Sequence, residues 1–479
     1  MKQKEGQEHL SGAEGIAMLD NALASTPGVS FADFMRSPKG QEFLTTKKIV
    51  IAGAPQSGKS VLRELLKRSV RAIPGAPYPY FVTAAPDGEW AGFQESVKQD
   101  PESARRMKMD YKDAIKKSGS MFTPEYVKRI SDSVKNLSAP HSPLNFLDIG
   151  GKMSAENLGI CENANAAIIL CGEKATKVGM GRGSPEDIEK PEMDPREWKE
   201  FFTSMGIPVI AAIYSDYTGK EDSVLGIDET GAFAGSSHYF ERGEMDVEHR
   251  PAIRTLAEYL VSGGVESQMY RHAALANLNE TSRTAKGEVN VEASTGKIDS
   301  MSGITEQETA DRAIENFMHV IERLYAERER NFANANELRT FVETVAQQVN
   351  DGIIKEGMLI RKGTDSATYP YTRVAELPAA MEQFYGEFLD RLSRSDDPKE
   401  VAAWIEYRID LTDHFFADGC GKTAKAISSW VLMKAKQQLP KYRGREEYYA
   451  YAPKKIRNQN LAEDAQSFAK WLNYYKSLF

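Results

Sequence analysis

Between Lys47 and Gly264, five short apolar runs alternate with amphipathic stretches, and this rhythm restricts the first half of the chain more than any other feature. The runs are KKIVIAGA, YPYFVTAA, PLNFLDIGG, NAAIILCG and PVIAAIYS, each bounded by Gly, Pro or Asp. Between them lie helical patterns such as SVLRELLKRSV, TPEYVKRISDSVKNL and DPREWKEFFTSMG. Strands buried on both faces read as continuous apolar runs, and their alternation with helices implies a doubly wound, mostly parallel sheet. From Glu306 the rhythm changes to apolar residues at three- and four-residue steps, as in RAIENFMHVIERLYAERE and ELRTFVETVAQQV, which implies an all-α region. The boundaries follow: a helical lead-in over 1–45, an α/β domain over 46–265, a Ser/Thr/Gly-rich linker or irregular insertion over 266–308, and a helical domain over 309–479. At 479 residues, two or three domains are the ordinary outcome.

The first strand runs straight into Gly53-Ala54-Pro55-Gln56-Ser57-Gly58-Lys59-Ser60, and a helical pattern follows. That is a complete P-loop pattern in its proper context. Its glycines let backbone N–H groups wrap phosphates at a helix N-terminus; Lys59 would reach the β- and γ-phosphates and Ser60 would ligate Mg²⁺. Asp148, ending the third strand, is either a further acid for that metal or a strand-end turn residue. ATP and Mg²⁺ are therefore the expected ligands. Two further residues were weighed: Asp87 in Pro86-Asp87-Gly88 as an acceptor contact or a plain turn, and Arg182 as a lid cation or part of a surface loop. The order of motifs over roughly 47–265, with DIGGK after the third strand, resembles the kinase-like P-loop domain fused to CRISPR-associated ring nucleases.

A second phosphate-directed string lies near the other end: His414-Phe-Phe-Ala-Asp418-Gly419-Cys420-Gly421-Lys422-Thr-Ala-Lys425. It sets a base, a carboxylate, a glycine turn and two cations in sequence, leading into the helical pattern GKTAKAISSWVLMK. His414, Phe416, Asp418, Gly419 and Gly421 match the signature of Fic (Fido) domains. The resemblance extends over about 330–440, through ELRTFVETVAQQVNDGIIKEG-MLIRKG, TYPYTRVAELPAAMEQFYGEFLDRL and WIEYRIDLTD. It implies His414 as the base, Asp418 as the Mg²⁺ ligand, Gly419, Cys420 and Gly421 as the phosphate loop, and Lys422 and Lys425 as phosphate cations. Phe416 would anchor the loop, and SATYPYTRV would form a short flap hairpin whose Tyr369 and Tyr371 flank a target side chain or pack on the fold. Cys420 stands where the family has Asn, and the two lysines stand where it has arginines, so charge is kept but the planar bidentate fork is lost. No Ser or Thr precedes a Glu-Gly or Glu-Asn pair at the spacing of the family's inhibitory helix.

The resemblance implies transfer of AMP from Mg-ATP to a hydroxyl of a protein target, with the P-loop half regulating it or acting as a kinase. Two other readings stay open: a phosphotransferase like the Doc toxins, or a P-loop kinase; and a nucleotide-gated interaction or toxin–antitoxin protein whose Fic-like fold does no chemistry.

Net charge is −8, yet from Lys422 onward there are twelve Lys and Arg against four Asp and Glu, with six tyrosines interleaved. This stretch reads either as a solvated face of terminal helices or as a surface that attracts an anionic target or RNA. No apolar run reaches bilayer-spanning length, the start MKQKEGQEHL is too polar for a secretory signal, and Cys161, Cys171 and Cys420 show no paired spacing. A cytoplasmic protein without a membrane partner is expected.

Overall fold

The computed structural model describes residues 12–54, 57–85, 100, 102–103, 106, 109, 122–172, 195–216, 220–238, 240, 246–281, 306–354, 357–363, 365–366 and 369–479. The chain divides into two units, Met1–Glu266 and Ser267–Phe479.

In the first unit the five expected strands are β1 (Lys47–Gly53), β2 (Tyr80–Thr83), β3 (Leu144–Asp148), β4 (Ala166–Gly172) and β5 (Val209–Asp216). All of them pair in parallel, and two more strands, β6 (Ser223–Ile227) and β7 (Phe233–His238), complete one sheet of order β2-β3-β1-β4-β5-β7-β6. β7 runs parallel to β5, while β6 returns antiparallel to it as an exposed edge. These two escape an apolar-run criterion because FAGSSH buries small polar residues and SVLGI lies at the rim. β1 has β3 on one side and β4 on the other, so chain order reverses at its carboxyl end. In open α/β sheets that reversal opens the crevice where ligands sit.

The lead-in is part of this unit rather than a separate arm. Ile16, Leu19 and Leu23 of the Gly12–Ala24 helix are buried in the same core as Val50, Leu147 and Ile169 of the sheet. A second correction concerns the linker. A continuous helix spans Gly264–Thr281, so the first part of the expected irregular segment is ordered as helix; residues 282–305 lie outside the described set.

The second unit is helical, as expected: Glu306–Ala326, Ala335–Val349, Leu377–Ser393, Pro398–Glu406, Cys420–Lys434, Arg445–Tyr449 and Leu461–Lys476. Residues Tyr407–Thr412 widen into a π-helical turn, in which the N–H of Asp413 reaches five residues back to the carbonyl of Arg408 (2.9 Å). Such turns recur beside functional sites because they redirect the following residues. The expected flap hairpin does not form among the described residues: 365–366 and 369–373 contain no strand, and an isolated bridge joins Ile360 to Phe416 instead. Four of the six interleaved tyrosines, Tyr442, Tyr448, Tyr474 and Tyr475, are buried, so they serve the core and not an exposed aromatic platform. No helix among the described residues is long and apolar enough to cross a membrane.

Candidate functional site

The loop between β1 and the Lys59–Ala72 helix carries the first set of predicted residues. Gly53 (φ 150°) and Gly58 (φ 97°) both hold backbone angles that L-residues rarely adopt, and Gly58 is the N-cap of the helix without any side-chain cap. Lys59 is buried, and its ammonium donates to the carbonyls of Gly53 (3.0 Å) and Ala54 (2.8 Å) of its own loop. Ser60 occupies the second helical position. Ser57 Oγ, one residue before that N-cap, is buried without a hydrogen-bond partner among the described residues. Pro55 and Gln56 lie outside the described residues, as do Asp87 and Arg182. Asp148 is buried at the end of β3, but its Oδ2 accepts from Arg63 Nη1 at 3.1 Å. Arg63 also pairs with Glu64 at 3.1 Å, so this carboxylate is engaged in a protein ion-pair network instead of standing open to a metal.

The second set lies on one loop at the start of the Cys420–Lys434 helix. Gly419 is its N-cap in the left-handed conformation (φ 70°), and a Cβ there would collide with the Asn350 amide. That amide in turn donates to the carbonyls of Ala346 (2.8 Å) and Asp418 (3.2 Å), tying the loop to the end of the Ala335–Val349 helix. No side chain caps the Cys420–Lys434 helix, so its first N–H groups and its dipole are available to an anion. Asp418 is half-buried and accepts the Gly419 N–H at 2.6 Å through Oδ1. Its carboxylate makes no other hydrogen bond or ion pair among the described residues, leaving an oxygen that a hard cation could use.

The two lysines part company. Lys422, in the first turn, is only 6% exposed, yet its ammonium makes no hydrogen bond or ion pair with any described residue. Its ammonium nitrogen is not among the fully enclosed unpartnered atoms, so the stem is covered while the charge reaches solvent, where an anion can meet it. Lys425 is equally buried but turned inward: its Nζ lies 3.9 Å from Glu406 Oε2 and 4.0 Å from the centre of the Tyr448 ring. The structure therefore does not bring Lys425 to the loop with Lys422. Its place in the helix matches the expectation, but its side chain serves the core.

Cys420 also departs from a simple phosphate contact. Its Sγ accepts from the Phe416 N–H (3.3 Å) and donates to the Phe416 carbonyl (3.4 Å), bracing the loop from inside. Burial pushes its thiol well above the ordinary range, the Asp410 carboxylate adding to the effect, so it stays protonated. Gly421 is glycine for a local reason: a Cβ there would stand 3.1 Å from Asp410 Oδ2.

His414 has φ 51°, an unusual angle for a residue with a Cβ. Three side chains hold it there: Tyr371, which the sequence offered as a flap residue that flanks a target or packs on the fold, and Arg361 and Asp413, which sequence reasoning missed. Arg361 donates from Nε to the His414 carbonyl (3.0 Å), and from Nη2 to the carbonyls of Asp413 (3.2 Å) and Thr372. Asp413, fully buried, accepts from Arg408 Nε and Thr372 Oγ1, both at 2.6 Å. Tyr371 stacks on the imidazole with ring centres 4.1 Å apart and planes 9° from parallel, and Tyr369 stacks on Tyr371 at 5.4 Å. For Asp413 the signal was faint but present, in charged residues lodged within the run that leads to His414; Arg361 lies in a separate stretch that carried none.

Burial lowers the pKa of His414 below its ordinary 6.5, against the opposing pull of the Asp410 carboxylate; its Nδ1 stands 3.3 Å from the Asp410 carbonyl. A depressed folded-state pKa means that the unfolded chain binds the proton more readily. The contribution to stability is then whole above pH 6.5 and lost as the pH falls through the folded value. Between about pH 7 and pH 5, the urea midpoint of the wild type should fall more steeply than that of His414→Asn.

No protein-family model matches the chain, and no curated protein matches it. Among solved structures it is similar to a Fic domain containing signaling protein from Bacteroides thetaiotaomicron. The two are 16% identical with a TM-score of 0.32, over 43% of this chain and 84% of that one. A likeness this distant leaves the chemistry to be argued from the residues themselves.

Proposed function

We propose that the helical unit is a Fic-like nucleotidyltransferase that moves AMP from Mg-ATP to a hydroxyl of a protein target. The Gly53–Ser60 loop is proposed as an ATP cradle with a regulatory or kinase role. The observation that carries the reading is the uncapped start of the Cys420–Lys434 helix beside Lys422, whose stem is buried and whose ammonium has no partner among the described residues, with His414 on the same short loop. Backbone N–H groups and one ammonium would hold phosphate oxygens there. A neutral imidazole would take the proton of the attacking hydroxyl as its oxygen bonds to the α-phosphorus and pyrophosphate departs. Among the described residues no three His, Cys, Asp or Glu gather into an all-protein metal site. Asp418 would therefore share Mg²⁺ with phosphate and water, as that ion prefers, and the bound ion would withdraw charge from the phosphates.

Lys422→Ala should weaken nucleotide binding by about ten- to a hundredfold, the range of a charge-assisted hydrogen bond, and leave the unfolding midpoint nearly unchanged. Lys425→Ala should do the reverse. Calorimetric titration with Mg-ATP, paired with urea unfolding of each variant, checks both.

One observation favours a second reading. With Lys425 committed to Glu406, the loop has a single cation where the family signature provides two, and the pose that exposes the α-phosphate loses a clamp. Transfer of the terminal phosphoryl group is the chemistry that remains under those conditions. ATP labelled at the α or the γ position, incubated with full-length protein and a cell extract, separates the two: protein-bound α label supports nucleotidyl transfer, and γ label alone supports phosphoryl transfer.

A further inference from the structure

β7 ends in a histidine–aspartate pair that neither phosphate site uses. His238 Nδ1 lies 2.7 Å from Asp222 Oδ1, with the His238 side chain 20% exposed and that of Asp222 wholly buried. A carboxylate only accepts, so Nδ1 carries the proton, and in a neutral ring Nε2 is then an acceptor. The same Oδ1 accepts from Ser237 Oγ (2.9 Å) and the His238 N–H (3.0 Å), while Oδ2 is buried with no hydrogen-bond partner among the described residues. Arg250, itself 1% exposed, stands 3.6 Å from Oδ1 and donates to Ser237 Oγ (2.9 Å) and to the His238 carbonyl. A guanidinium beside a buried carboxylate offsets its desolvation, so the pair is held rigidly from behind.

Its position connects it to the β1 loop. The parallel register sets His238 opposite Asp216 at the carboxyl end of β5, on the same rim of the sheet as Gly53–Gly58. Three strand spacings, about 14 Å, separate β7 from β1. Phe240, two residues past His238, closes the gap: a Cβ on Gly58 would meet its ring at 2.7 Å, and Arg250 lies over that ring at 5.2 Å. The rim thus has a polarity. Lys59 and the Lys59–Ala72 helix start mark the phosphate end at β1, and the far side toward β3 is filled by the Asp148–Arg63 network. A nucleotide seated on the loop would extend from that phosphate end, and β4 and β5 are the strands that lie between it and β7.

We propose that His238, oriented by Asp222, is a nucleoside contact of the β1 loop. Its Nε2 accepts a hydrogen bond from an N–H or O–H donor on the base or the ribose of the bound nucleoside triphosphate. The inference rests on the reading of Gly53–Ser60 as a phosphate cradle.

The test is equilibrium binding of Mg-ATP to the full chain, counting only the binding that Lys59→Ala removes. His238→Asn is the informative variant, because its amide N–H replaces Nδ1–H toward Asp222 while the ring tip is gone. About a tenfold loss of ATP affinity in His238→Asn is expected, with an unchanged unfolding midpoint. Inosine triphosphate and 2′-deoxy-ATP identify the donor: whichever analogue wild type binds about tenfold more weakly, and His238→Asn no longer discriminates against, lacks it. Unchanged affinity in His238→Asn overturns the nucleoside contact and leaves the cradle intact. Absence of any Lys59-dependent binding in the wild type overturns the cradle, and the contact with it.

Discussion

His414→Ala should lower transfer of label from ATP to protein by a factor of about 10² to 10⁴, the usual yield of a positioned general base. Binding of Mg-ATP should change far less, because the groups proposed to hold phosphate are the helix N–H groups and Lys422. The measurement is a time course of protein-bound label with saturating ATP, alongside calorimetric titration of the same preparations. Loss of turnover without loss of binding is the signature of a group that acts on the acceptor. An equal fall in both would mean that the imidazole only props the loop, a role its strained φ of 51° and its contacts with Arg361 and Tyr371 could also fill. An unchanged rate would remove the transferase reading altogether.

The largest stability effect is expected at Glu406, which has no part in the proposed chemistry. Its carboxylate is 1% exposed and accepts from Ser428 Oγ (2.7 Å), Tyr442 Oη (2.6 Å), Tyr448 Oη (3.1 Å) and Tyr475 Oη (3.5 Å), with Lys425 Nζ at 3.9 Å. Burial raises the pKa of all three tyrosines well above the ordinary range, and the neighbouring Glu406 charge raises it further, so they remain donors. Removing the acceptor strands an ammonium and several hydroxyls in the interior. Glu406→Ala should cost about 3–5 kcal/mol, the range for breaking a buried pair from one side. Glu406→Gln, which keeps an acceptor oxygen, should cost less. Urea midpoints of the two variants decide the matter, and equal, small losses would show that water enters and solvates the site.

This cluster also explains why the C-terminal segment was ambiguous in the sequence. Twelve cations and six tyrosines in one stretch satisfy the composition of a nucleic-acid surface as well as that of terminal helices. Composition carries no information about which way a tyrosine points. The carboxylate that gathers three of them lies more than thirty residues upstream of the first, in the stretch WIEYRIDLTD, where nothing in the local pattern points to tyrosines. Lys425 was misjudged for the same reason. Its spacing from Asp418 suits a phosphate cation, but the choice between loop and core was made by Glu406 and Tyr448, neither of which is near it in the chain.

Local order was far more legible. The five parallel strands, the loop after the first of them, and the glycine turn before the Cys420–Lys434 helix all follow from short-range rules: side-chain periodicity, apolar run length and the backbone freedom of glycine. Such rules act within a few residues, so the order of residues along the chain contains them. β6 and β7 were invisible because an edge strand and a strand of small polar residues gain their place from neighbours, not from their own hydrophobicity.

The sequence by itself determined where this chain makes its five apolar strands, where it turns to helices, and which two loops set glycines and a cation at a helix start, the second with a carboxylate and a histidine as well. Tertiary structure alone decided that Lys422 has no partner among the described residues while Lys425 is set against Glu406, that Asp148 faces Arg63, and that His414 is clamped by Arg361 and Tyr371. The difference is physical: backbone geometry is set by neighbours in sequence, whereas the charge state and direction of a buried side chain are set by whatever the fold brings within a few ångströms of it.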